Sequence, residues 1–164
     1  MIEAIIAIVS LAMGGGVALF AGCDMVVTGK STKIGSAFSQ IGFSCDSGSS
    51  VVLTARLGAA RAKRFVMMAE ILTSQEALNI GLVDVVVEDD QLSQEALKLA
   101  TRLAHGPTVA YGEIKRLFAR ASAIPMQAMF EDEALTLAKV SATNDAQEGI
   151  ASLVEKRKPV FKGH

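Results

Sequence analysis

The chain has 164 residues, 51% of them apolar, a formal net charge of −1 and no tryptophan. That length suits one compact domain or a core with a helical appendage, and the near-neutral balance, without a basic stripe interleaved with aromatics, excludes the usual nucleic-acid footprint. The two cysteines, Cys23 and Cys45, form no CxxC pair, which argues against a disulfide framework or a zinc site; no metal is expected, and a reducing, cytoplasmic compartment fits.

In chain order, residues 5–9 are rich in β-branched side chains and short, as in a buried strand. Gly14-Gly15-Gly16 breaks the run and permits positive φ and close backbone approach. Residues 17–23 then read as a short buried helix. A strand, a glycine turn and a helix leave unpaired backbone N–H groups at the positive end of the helix dipole, a place for a phosphate or for negative charge developing on a carbonyl oxygen. Residues 4–23 are also twenty residues without a charge, the length of a membrane span, and Phe20-Ala21-Gly22-Cys23 has the form of a lipoprotein cleavage box. Met1-Ile2-Glu3 offers no positive charge to orient insertion and the triple glycine would weaken a membrane helix, so no membrane association is expected and Cys23 reads as a core residue.

Residues 25–28 form a second strand, Gly29-Lys30-Ser31 a turn, and 33–35 a brief third strand. Residues 36–46 have no helical period and read as a loop. Two helices follow over 48–57 and 59–69, with Arg56, Arg61, Lys63 and Arg64 on solvated faces. Thr73-Ser74-Gln75-Glu76 has the form of a capping box, a Thr with Glu three residues on; its helix ends at Gly81, and 82–87 is a buried strand. Strands between helices argue for α/β layering. From Asp89 onward the pattern is helical: about 91–105, stopped by Gly106-Pro107, then 107–121, 125–142 and 145–156 with Asn144 as cap. A basic tail with Pro159 closes the chain as a loop. The division near residue 100 separates a mixed core, 1–100, from a helical region, 101–164.

Ser10-Leu11-Ala12-Met13-Gly14-Gly15-Gly16 followed by Cys23-Asp24 resembles the core motif of the crotonase superfamily, the enoyl-CoA hydratases and isomerases. Gly35-Ser36-Ala37-Phe38 through Gly42-Phe43-Ser44-Cys45-Asp46-Ser47-Gly48 resembles the next active-site loop of that family. Leu72-Thr73-Ser74-Gln75-Glu76-Ala77 with Gly81-Leu82-Val83 resembles a later signature, and Glu148-Gly149 with Glu155-Lys156-Arg157-Lys158-Pro159 resembles its C-terminal ending. The resemblance implies an α/β, crotonase-like spiral core of short strands and helices, here without its N-terminal third, and C-terminal helices that pack between subunits as trimers or pairs of trimers. It implies an acyl-CoA thioester as substrate, coenzyme A being part of that substrate and no separate cofactor being needed.

The same resemblance assigns residues. The N–H of Gly15 is the second oxyanion donor; the first belongs to the missing part. The two hydratase glutamates correspond to Ala18 and Phe38, and neither side chain exchanges a proton, whereas hydration needs both a base and an acid. Asp46 stands where isomerase members carry an acidic residue, and one carboxylate suffices to move a double bond by taking a proton at one carbon and returning it at another. Met13, Gly14, Phe38 and Gly42 are expected around the substrate, Phe38 as a dry wall that raises a carboxyl pKa, and Lys156 is expected to reach the CoA phosphates of a neighbouring subunit. The expected activity is therefore that of an enoyl-CoA isomerase type in fatty-acid metabolism; the alternative is a catalytically silent, truncated subunit with a structural role. Bland readings stand beside these: Asp46 as a turn former, Lys156 as a partner of the helix dipole, and Met67, Met68, Met126 and Met129 as core or interface filler.

Overall fold

Ile5–Ile8 forms the first strand, β1, and the chain then changes sheets rather than running straight into the glycines. Ser10 takes φ +70°, Leu11 N–H donates to the Val9 carbonyl at 3.0 Å, and a second strand, β2 (Leu11–Met13), begins. The single strand expected before Gly14 is thus two strands in two sheets. The turn is held from the side: Lys33 N–H donates to the Ser10 carbonyl at 2.9 Å, and the buried Thr32 hydroxyl donates to the Ile8 carbonyl at 3.1 Å. The computed structural model describes residues 5–164; Ala4 and the Met1-Ile2-Glu3 start, on which part of the membrane-span argument rests, lie outside the described residues.

After β2 come α1 (Gly15–Ala21), β3 (Met25–Gly29) and β4 (Lys33–Gly35). The loop that follows contains one 3-10 turn, Ser39–Ile41. Then come α2 (Ser49–Leu57), α3 (Ala59–Met67), a strand the sequence does not announce, β5 (Ile71–Thr73), α4 (Ser74–Asn79) and β6 (Val85–Val87). Leu82 and Val83, expected in the last strand, instead fill the core ahead of it. One sheet has the order β1-β3-β6, all parallel; the other is β2-β4-β5, parallel then antiparallel. Parallel strands linked through helices are the α/β arrangement, with both faces of the strands available for burial. Val17, Phe20, Val26, Ile34, Leu53, Phe65, Ala77 and Leu82 make one core from both sheets and from α1 to α4. The capping box is present: the Thr73 hydroxyl accepts from Glu76 N–H and the Glu76 carboxylate accepts from Thr73 N–H. The Thr73 N–H, followed by the Thr73 hydroxyl, which also donates to the Glu76 carboxylate at 2.7 Å, holds that carboxyl below its ordinary value.

The backbone groups into two units, one ending at Ala100 and one running Thr101–His164, with α5 (Leu92–Ala104) crossing the division. The second unit holds α6 (Thr108–Arg120), α7 (Met126–Ser141) and α8 (Asn144–Glu155). Arg116 joins α6 to α7, donating to the Asp132 carboxylate at 2.8 and 2.9 Å and to the Thr136 hydroxyl at 2.6 Å. Glu113 closes the network with Arg116 and Lys139. The cap of α8 is Thr143, whose hydroxyl accepts from Ala146 N–H, and not Asn144. The tail is tied down: the buried carboxylate of Asp145 accepts from Lys162 and Gly163 N–H at 2.7 and 2.8 Å. Among the described residues no helix is long and apolar enough to cross a membrane.

Candidate functional site

The glycine corner is built by the end of β2 and the start of α1. Gly14 adopts φ +52° and ψ −123°, a conformation open to glycine and costly for other residues. Its N–H donates to the Gly35 carbonyl at 3.1 Å, extending the β2–β4 ladder by one bond. Gly15, the first residue of α1, has no carbonyl within the helix for its N–H, and its amide makes no hydrogen bond among the described residues.

Two side chains of the loop before α2 come to this corner. A Cβ built on Gly15 would lie 3.3 Å from the Ser47 hydroxyl oxygen and 3.7 Å from Asp46 Oδ1. Ser47 is held at φ +53° and Gly48 at φ +80°, while the Asp46 carbonyl accepts from Ser49 N–H at 2.8 Å and from the Ser49 hydroxyl at 2.6 Å. Those two hydrogen bonds fix the backbone of Asp46 just ahead of α2. Gly15 and Asp46, thirty-one positions apart in the numbering, are therefore neighbours. Phe38 is also at the corner but beneath it: its ring lies 3.8 Å from the place of a Gly14 Cβ and is buried. Asp46 is exposed, so the dry wall expected from Phe38 does not enclose its carboxylate. Ala18, in the next turn of α1, is buried.

The remaining expected residues fall elsewhere. Met13 lies over Gly35, its sulfur 2.8 Å from where a Cβ would stand. Gly42 ends the 3-10 turn at φ +73° and is exposed. Lys156 closes α8 in the left-handed conformation and is exposed in the C-terminal unit. Cys23 is half-buried rather than core, its thiol donating to the Leu19 carbonyl. Met129 is buried, while Met67, Met68 and Met126 are exposed.

Two devices that hold the site gave no signal in the sequence. Ser36 and Ser39 donate to the Phe65 and Val66 carbonyls at the end of α3, Ser39 at 2.9 Å, which anchors the loop carrying Phe38. Arg56, expected in solvent, has a side chain only 12% exposed. It donates to the Ala21 and Cys23 carbonyls at 3.0 and 2.9 Å and pairs with Asp84, capping the C-terminal end of α1, where a cation opposes the helix dipole. Among the described residues no group of three His, Cys, Asp or Glu side chains gathers as metal ligands would.

The enoyl-CoA hydratase/isomerase family model matches residues 2–164. The chain belongs to the enoyl-CoA hydratase/isomerase family. It is 31% identical over 159 residues to the 2,3-dehydroadipyl-CoA hydratase of Escherichia coli, covering 97% of this chain and 62% of that protein. It is 34% identical over 161 residues to the 1,2-epoxyphenylacetyl-CoA isomerase of the same organism, covering 97% of this chain and 61% of that one. Among solved structures, the enoyl-CoA hydratase/isomerase of Cupriavidus metallidurans superposes with a TM-score of 0.90 at 29% identity, covering 97% of this chain and 60% of that chain. The crotonase-like α/β fold is thereby shown, and this family member spans about three fifths of the length of such relatives.

Proposed function

We propose that this family member processes acyl-CoA thioesters by moving a double bond through a thioester enolate, in the manner of an enoyl-CoA isomerase. One observation carries the reading: the Asp46 carboxylate stands beside the Gly15 corner, while the positions where the resemblance puts hydratase glutamates hold Ala18 and Phe38. In the forward direction the Asp46 carboxylate takes a proton from the α-carbon of a 3-enoyl thioester. The electrons pass into the thioester oxygen, whose negative charge faces the Gly15 N–H, a donor worth about 2.7–4 kcal/mol in comparable sites. The Asp46 carboxylic acid then returns the proton at the γ-carbon, and the enolate collapses to the 2-enoyl thioester. Oxyanion stabilisation by Gly15, substrate contact by Met13, Gly14, Phe38 and Gly42, and a CoA-phosphate contact by Lys156 belong to the same proposal, as do assembly through the C-terminal helices into trimers or pairs of trimers and a cytoplasmic site of action.

The test is a choice between two reactions. Offered 3-hexenoyl-CoA and 2-hexenoyl-CoA separately, the chain is expected to migrate the double bond of the first and to leave the second unhydrated. Hydration faster than migration overturns the reading. A second reading, an acyl-CoA-binding subunit without chemistry, is favoured by the exposure of Asp46; binding of hexanoyl-CoA with no migration would establish it.

A further inference from the structure

A cavity of about 280 Å³ opens between α2, α3 and the loop that carries Asp46. Phe43, Leu53, Val66 and Met67 give it apolar walls, and Cys45, the residue before Asp46, lines it as well. Its volume is less than twice that of the roughly 150 Å³ cavity that accepts a benzene ring, which suits a short acyl tail. One charged side chain lines it, Lys63. Lys63 is exposed and makes no hydrogen bond or ion pair among the described residues, whereas its neighbour Arg64 is paired with Glu70. A lysine covers apolar wall with its stem while its ammonium stays in water, so the cavity, whose walls also include Ser39, Ser44, Ser49, Ser50 and Thr54, is mostly apolar, uncharged inside and cationic at Lys63.

We infer that this cavity receives the acyl tail and that Lys63 selects tails ending in a carboxylate, making the substrate class the CoA monothioesters of short dicarboxylic acids. The inference rests on the acyl-CoA reading above and adds the identity of the tail. An apolar pocket with no charge would accept a terminal methyl and reject a terminal carboxylate, whose desolvation is costly. A cation at the solvent end lets the carboxylate stay hydrated and paired while the methylenes fill the cavity. Because Lys63 is exposed, the pairing is of surface strength, and the expected selectivity is modest: about fivefold at low salt, shrinking as salt screens the pair.

The experiment measures binding by the 164-residue chain of adipoyl-CoA and hexanoyl-CoA, ligands of equal chain length that differ in the terminal group and need no turnover. The wild type is expected to bind adipoyl-CoA about fivefold tighter at low salt. Lys63→Met should bring the ratio to one or below, and Lys63→Arg should keep it. Equal affinities in the wild type, or a preference that survives Lys63→Met, overturn the tail assignment and leave the acyl-CoA reading standing. No binding of either ligand overturns both.

Discussion

At the scale of single residues the site depends on backbone conformations that few side chains tolerate. Gly14 at φ +52° and ψ −123° turns the chain from β2 into α1 so that the next amide is left without a partner. The space beside it is ordinary: a Cβ would meet the Ser36 carbonyl oxygen at 3.6 Å and the Phe38 ring at 3.8 Å. The cost of Gly14→Ala is therefore conformational rather than steric, about 1–3 kcal/mol, and urea unfolding should show a lower midpoint with an unchanged slope. A midpoint equal to that of the wild type would mean the corner does not need glycine. The glycine corner was legible in the sequence because three consecutive glycines have few other uses. The approach of Asp46 to Gly15 came only from the family resemblance, since nothing in the local pattern of residues 36–46 distinguishes a catalytic carboxylate from a turn former. The exposure of Asp46 was not legible at all, because burial is set by which distant segments cover a loop.

At the scale of elements, helices were read more reliably than strands, and the reason is physical. α3, α5, α6 and α8 each repeat an apolar face, and the box at Thr73 marks the start of α4 by side-chain chemistry alone. β2 and β5 have three residues each, too few for any period to show, and their pairing depends on β4, which is equally short. Arg56 departs from its expected solvated face for a related reason. Its sequence neighbours place it on a helix face, but the carbonyls it binds belong to the end of α1 and the turn after it, more than thirty positions earlier. In the C-terminal unit the tail is held by a chemistry that pH can remove. Glu148 on α8 accepts from Arg157 at 2.5 and 2.7 Å and from Val160 N–H at 2.8 Å. The Arg157 hydrogen bonds, followed by the Val160 N–H, pull its carboxyl down from 4.5 to about 2. A carboxyl depressed in the folded state stabilises the fold above its unfolded value and loses that contribution as the pH falls through the folded one. The stability of the wild type over Glu148→Gln is thus expected to be full at pH 7 and to shrink between about pH 4.5 and 2, read by thermal unfolding at a series of pH values. A difference that stays constant down to pH 2 would contradict this.

At the scale of the whole molecule the exposed apolar side chains of the C-terminal unit are the clearest feature. Phe118, Leu153 and Val154 are 79%, 80% and 77% exposed, although a stable monomer gains nothing from leaving such groups in water and large apolar patches mark interaction sites. The proposed assembly through these helices therefore predicts sedimentation as a trimer or hexamer, and predicts that Leu153→Glu with Val154→Glu yields smaller species while retaining helical circular dichroism. Sedimentation of the wild type as a monomer at micromolar concentration would remove the assembly proposal without touching the site. The fold class and the family are legible in the sequence motifs, and the family match over residues 2–164 and the superposition on a solved relative bear out both. The proposed assembly rests on the resemblance and on the apolar content of these helices.

The central claim is that one carboxylate, beside an amide presented by a glycine corner, moves the proton. Its most direct measurement is deuterium uptake at the α- and γ-carbons of 3-hexenoyl-CoA in D2O, for the wild type and for Asp46→Asn. Uptake by the wild type that falls by about 10²-fold or more in Asp46→Asn, with hexanoyl-CoA affinity held within about twofold, is the predicted result. Equal uptake by the two proteins would contradict the account.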